Sequence, residues 1–118
     1  MSATLFNLQV EQGIPYSQTF VVKDSLGANI DLTGYTARLE AKQSYSSASV
    51  LIASTELGNI FLDTLNSYCV VNLTEEDTLK FSDFSTLYDL VLFSPTGIPL
   101  KLTRGLVLLQ KTATSVQG

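Results

Sequence analysis

Apolar and polar positions alternate along much of this chain with a period of two. That is the period of a strand, because successive side chains on a strand point to opposite faces. The clearest case follows Gly34: Tyr35, Ala37, Leu39 and Ala41 fall on one face, and Thr36, Arg38, Glu40 and Lys42 on the other. Earlier, one strand is predicted over residues 5–11, ending at Gly13-Ile-Pro15, and another over 16–22. The second runs into Lys23-Asp-Ser-Leu-Gly27, where Asp24 and Gly27 suit a hairpin-like loop. A serine-rich stretch, 43–49, reads as a flexible loop or a loose strand end. Short strands are predicted over 50–53 and 60–65, separated at Leu57-Gly58-Asn59, and over 68–73 with Cys69, Val71 and Leu73 facing inward.

One helical signal interrupts the strands. Thr74-Glu-Glu-Asp77 has the form of a capping box, with a threonine cap and acids in the first turn, and predicts a short helix to about residue 81. A hairpin then closes the chain, turning at Ser94-Pro-Thr-Gly97, where Pro95 suits the second turn position and Gly97 the left-handed one. The whole is read as one all-β domain over residues 1–118, an antiparallel immunoglobulin-like β-sandwich of about seven to nine strands with one short helical turn near 75–81. A partly open barrel is the alternative arrangement. The polar tail from about 111 to 118 is expected to fray.

The closing hairpin carries more apolar side chains than one buried face can use. Leu87, Leu90, Val91, Leu92 and Phe93 are apolar almost without a break, as are residues 106–109. Two registers fit the last strand. Unbroken alternation from Leu100 puts Leu102, Arg104, Leu106 and Leu108 inside and buries a charge without an obvious partner. A bulge at Gly105 flips the phase, leaving Val107 and Leu109 inside and Leu106 and Leu108 outside, and this register is favoured. With Leu90 and Leu92 in the core, the candidate partner-docking residues are Val91, Phe93, Leu106 and Leu108. A small domain with a hairpin apolar on both faces usually has a partner over the second face, so the isolated domain is expected to self-associate or to be poorly soluble.

Composition sharpens this. The apolar fraction is 45% but only 15% of residues are charged, against roughly 25% in ordinary soluble domains. Seven basic residues face eleven acidic ones, for a net charge of −4, and the basic residues are scattered. Nucleic-acid binding and polybasic membrane attachment are therefore not expected. The N-terminal residues show no signal-peptide pattern, and no run reaches a membrane span, so synthesis and folding in a cytoplasm are expected. Cys69 is the only cysteine, so no internal disulfide is possible, and a buried small hydrophobe is its expected role.

Candidate chemistry is thin. Without a single histidine, the chain lacks the common general base and the commonest metal ligand. Glu75, Glu76 and Asp77 read as dipole-complementing acids, and Asp24 as a turn former, with no calcium-loop spacing around Asp24 and Asp31. Glycines are isolated, with no phosphate cradle. No catalytic residue, metal or cofactor is expected, and the protein is not expected to be an enzyme. Tyr88, just after the helical turn, reads either as a tyrosine-corner residue or as ordinary core packing.

The stretch Val22-Lys-Asp-Ser-Leu-Gly-Ala-Asn-Ile-Asp-Leu-Thr-Gly-Tyr-Thr-Ala-Arg-Leu39 resembles a pattern of phage virion proteins. It is similar to the immunoglobulin-like domain at the N-terminus of phage baseplate upper proteins and to short tail-associated or prophage proteins. Leu57-Gly-Asn-Ile60 resembles that family's "Gly-x-Ile/Val" strand start, and Leu87-Tyr-Asp-Leu90 with Ser94-Pro-Thr-Gly97 its closing hairpin. Across roughly residues 5–110, the resemblance implies a structural subunit of a tailed bacteriophage virion in the tail or baseplate. Its partners would be other virion structural proteins and further copies of itself in a symmetric multi-copy assembly. Capsid-surface decoration or a neck position is the alternative within that class. The chain stops at 118 residues without a receptor-binding or carbohydrate-binding continuation, which favours an accessory subunit over host adhesion. From another class, a small carbohydrate- or peptide-binding module would use the loops at one sandwich end, with Tyr45 as its aromatic.

Overall fold

The strands predicted from alternation pair into two sheets. The computed structural model describes residues 4–24, 26–44, 47–81 and 84–110. Its elements are β1 (Thr4–Leu5), β2 (Leu8–Glu11), β3 (Tyr16–Val21), β4 (Thr36–Lys42), β5 (Ser49–Ser54), β6 (Ile60–Asp63), β7 (Tyr68–Leu73), α1 (Glu75–Leu79), β8 (Ser85–Phe93) and β9 (Pro99–Gln110). The larger sheet runs β1-β9-β8-β4-β5, with β2 following β1 along β9, and the smaller runs β3-β7-β6. The expected all-β sandwich with one short helix is thus borne out. The frayed tail at 111–118 lies outside the described residues.

One pairing departs from the antiparallel expectation: β1 and β2 both run parallel to β9. The cause is tertiary. After β2 the chain crosses to the other sheet through residues 12–15, and that crossing is held beside α1. There the Gly13 amide donates to Thr78 Oγ1 at 3.0 Å, and Gln12 Nε2 donates to the Phe81 carbonyl at 3.1 Å. The first strand is also broken at Phe6-Asn7, where Asn7 Oδ1 takes the Leu106 amide at 3.0 Å in place of a ladder carbonyl.

Local signals ended the elements where chemistry dictates. Asp63 stops β6 two residues short of the expected boundary, because its carboxylate accepts the Leu65 and Asn66 amides and bends the chain. The capping box is complete, with Thr74 Oγ1 accepting the Asp77 amide and Asp77 Oδ2 accepting the Thr74 amide. The helix ends at Leu79, so Phe81 leaves it and plugs the core at 1% exposure. At the hairpin tip the Gly97 amide donates to the Ser94 carbonyl at 2.8 Å with φ +85°, the left-handed geometry glycine tolerates.

Between the sheets lie Leu8, Val10, Leu39, Ala41, Leu90, Leu92, Val107 and Leu109 from one side and Ile60, Cys69, Val71 and Leu73 from the other. The expected inner faces of β4 and β7 are therefore correct. In β9 the favoured phase is also correct, with Val107 and Leu109 buried and Arg104 exposed. The bulge that produces it lies elsewhere. Leu90 pairs with Thr103 but Val91 with Lys101, so the extra residue is Leu102, not Gly105. Gly105 serves a different need: a Cβ there would strike the Phe6 carbonyl oxygen, so glycine permits β1 to pass close over β9.

Candidate docking surfaces

Registers place the side chains on the outer face of the large sheet. Val91, Phe93, Leu106 and Leu108 all point outward and are half-buried. They do not form one patch. Leu106 pairs with Leu87, and a cleft beside them is lined by Leu5, Asn7, Leu87, Arg104, Gly105 and Leu106. The next row across the sheet is charged, with Arg104 opposite Asp89 and Asp89 opposite Glu40. Val91 lies beyond it between Arg38 and Lys101, and Phe93 between Thr36 and Pro99. The single apolar face expected of the hairpin is thus two apolar clusters separated by ionic groups. Lys42, Lys101 and Arg104 form no ion pair among the described residues, whereas Arg38 reaches Glu40 at 3.1 Å.

The small sheet carries an outer face that sequence reasoning did not single out. Phe61 is 61% exposed, Val21 51% and Tyr68 37%, and half-buried Val70 lies among them. Val70 pairs with both Phe61 and Thr19, and Tyr68 with both Val21 and Asp63, so these side chains occupy adjacent rows of one face. A signal was available. Phe20-Val-Val22, Ile60-Phe-Leu62 and Val70-Val71 are unbroken apolar runs, as in the closing hairpin. No lysine or arginine occurs in β3, β6 or β7. Asp63 sits at the rim of this face. Donation from the Asn66 side chain, and then from the Asn66 and Leu65 amides, holds its carboxyl below the usual range and keeps it charged at neutral pH.

At one end of the sandwich three loops meet. The Ser67 hydroxyl donates to the Val22 carbonyl and accepts the Ile30 amide, and Gly34 abuts the Pro95 ring. These loops expose Leu26, Leu65 and Ile98, at 91%, 88% and 65%. Tyr45, the aromatic named for a binding module, lies outside the described residues.

Several titratable groups are engaged in structure. Burial pushes the Cys69 thiol up to about 12, leaving it protonated and a poor nucleophile. Asp24 Oδ1 accepts the Leu26 and Ala28 amides at 2.9 Å, the turn-forming role expected of it. Asp31 is held below the ordinary carboxylate range by the Thr33 hydroxyl and amide. Tyr88 is 4% exposed, and its hydroxyl donates to the Phe6 carbonyl. It therefore clamps the N-terminal segment from 82 residues away rather than closing a local tyrosine corner. Burial raises the Tyr88 phenol above its ordinary value. Among the described residues no three His, Cys, Asp or Glu side chains gather as metal ligands, and no helix is long and apolar enough to cross a membrane. No protein-family model matches this chain, and no curated protein matches it either.

Proposed function

We propose that this chain is a non-enzymatic structural subunit of a tailed bacteriophage particle, docked through its sheet faces and loops. A tail or baseplate position is preferred, with capsid-surface decoration or a neck position as the alternative. One observation carries the reading: both outer faces of the sandwich bear large apolar side chains, on a chain with only 15% charged residues. The resemblance of the segment from Val22 to Leu39 to phage virion domains supplies the setting.

Energetics favour many contacts over one. Completing the burial of an exposed apolar side chain yields up to about 1.5–3 kcal/mol, and side chains already half-covered yield about half as much. Phe61, Val21, Tyr68 and Val70 together then supply roughly 3–6 kcal/mol, near the lower edge of the roughly 4–15 kcal/mol that association costs. A single face is marginal for a free pair, while a closed array adds contacts without repeating the whole entropic cost. Quantitative mass spectrometry of purified particles is the test. The chain is expected at a fixed multi-copy ratio to the other particle proteins. Its absence from particles, with the protein left free in the lysate, would overturn the proposal.

A further inference from the structure

The edges of the two sheets are not equally closed. A sheet edge offers unpaired amides and carbonyls to any extended chain, and charges, prolines, bulges and short strands normally blunt it. Most edges here are blunted in these ways. The β1–β2 edge is interrupted at Phe6-Asn7 and ends in Glu11. Along β5, Val50 is an extra residue against β4, and Asn59 Oδ1 caps the Ser54 amide at 2.8 Å. β6 has only four residues and ends in Asp63. β3 has none of these devices. Its residues, Tyr16-Ser-Gln-Thr-Phe-Val21, hold one register with β7 from end to end and include no charge, proline or glycine.

The ladder fixes which groups of β3 are free. The Val22 amide donates to the Ser67 carbonyl at 2.8 Å, toward β7. Backbone groups alternate sides along a strand, so Tyr16, Gln18 and Phe20 bond toward β7. Ser17, Thr19 and Val21 present their amides and carbonyls to the open edge. Of these the Thr19 carbonyl accepts Gln18 Nε2 at 3.2 Å, and its second lone pair can still take a ladder amide. The inward side chains are open on the same side. Leu8, Val10, Leu51 and Ala53 of the other edge strands are buried, whereas Tyr16, Gln18 and Phe20 stay half-buried. The sandwich is therefore unfinished along β3, in backbone and in side chains.

We propose that two copies of this chain join edge to edge, β3 antiparallel to β3 about a two-fold axis at Thr19. The proposal rests on the multi-copy structural reading above and names one of its contacts. Its register follows from the free groups. With Thr19 opposite Thr19 of the second copy, Ser17 faces Val21, and every edge-facing amide and carbonyl of these residues gains a partner. Moving the axis to Gln18 brings in Pro15, which has no amide hydrogen, and moving it to Phe20 brings in Lys23, already bridged to Asn29. In the Thr19 register no charge opposes a like charge, threonine meets threonine on the outer face, and Gln18 meets the half-buried Phe20 ring on the inner one. The contact is isologous and closes as a pair, leaving the sheet faces for other neighbours in the particle.

Sedimentation and amide exchange over a wide concentration range test this. The mass is expected to rise from 12.8 kDa toward twice that value. In the unaltered chain the Ser17, Thr19 and Val21 amides should exchange freely when dilute and become protected as the dimer forms, while those of Gln18 and Phe20 stay protected throughout. Thr19→Pro removes an amide hydrogen that β7 does not use, and should weaken dimerisation about tenfold or more with the circular dichroism unchanged. Thr19→Lys and Thr19→Glu each set like charges across the axis and should weaken it about twofold to fivefold. An equimolar mixture of these two variants should restore it, because opposite charges then meet on the axis.

A wild type that stays monomeric at every concentration overturns the proposal and leaves the β3 edge to a strand of a different protein. A dimer that leaves the Ser17, Thr19 and Val21 amides unprotected, or that ignores Thr19→Pro, forms elsewhere on the molecule and overturns it too. A mixture of the two charged variants no tighter than either alone refutes the register. If particles contain the chain in multiple copies despite such a result, only the edge contact fails. If the dimer forms as described but particles lack the chain, only the structural reading fails.

Discussion

Replacing Gly105 with alanine tests the crossing that holds the N-terminal segment on the large sheet. A Cβ at this position would run into the Phe6 carbonyl oxygen, with Asn7 Oδ1 at 2.9 Å. Both neighbours belong to a segment pinned on each side, so it must lift away from β9. Three hydrogen bonds depend on its seat: Phe6 amide to Arg104 carbonyl at 2.9 Å, Leu106 amide to Asn7 Oδ1 at 3.0 Å, and the Tyr88 hydroxyl to the Phe6 carbonyl. At roughly 0.5–1.5 kcal/mol each, their loss costs about 1.5–4.5 kcal/mol. Reduced unfolded-state freedom returns about 0.4–1 kcal/mol, so the net is about 1–3.5 kcal/mol. For a chain of this length that lowers Tm by roughly 4 °C per kcal/mol, or about 4–14 °C. Thermal melting reads the total, and amide exchange reads the place: protection should be lost at Phe6 and Leu106 and kept in β4 and β7. An alanine variant that melts at or above the wild type, with those amides still protected, refutes the close crossing.

Other outcomes follow from the same contacts. Tyr88→Phe should cost about 1 kcal/mol by removing the donor to the Phe6 carbonyl. Because burial raises the Tyr88 phenol in the folded state, its contribution is complete below the unfolded value of about 10 and lost as pH rises above it. Alkaline unfolding should therefore begin less steeply in the phenylalanine variant, and identical alkaline slopes would count against this. Cys69, with its thiol pushed up to about 12 by burial, should resist thiol reagents at mild alkaline pH and react fully in denaturant; fast native labelling contradicts its burial. Thr74→Ala removes the cap of α1 and should cost about 1 kcal/mol in denaturant unfolding, with self-association unchanged.

Several features were legible in the sequence because their causes are local. The inner face of β4 follows from a seven-residue alternation, and the helix start from a threonine and an aspartate three apart. The hairpin tip follows from Pro95 and Gly97, and the phase of β9 from the cost of burying Arg104. The site of the bulge did not follow. Gly105 invites the assignment, but the extra residue is Leu102, and the glycine answers to a neighbour 99 positions away in the chain.

The sequence by itself determined that this chain has more apolar strand positions than one buried face can use, and that it carries no histidine and only 15% charged residues. Only the tertiary structure decided which faces receive the excess. An apolar run states how much surface wants cover, but the pairing partner decides which of its side chains remain outside. Pairing with β4 and β9 leaves Val91 outward among cations, and pairing β7 between β3 and β6 gathers Val21, Phe61, Tyr68 and Val70 on a face without them. The parallel docking of β1 and β2 has the same origin, since strand direction depends on where the chain crosses between sheets, and no local pattern encodes that.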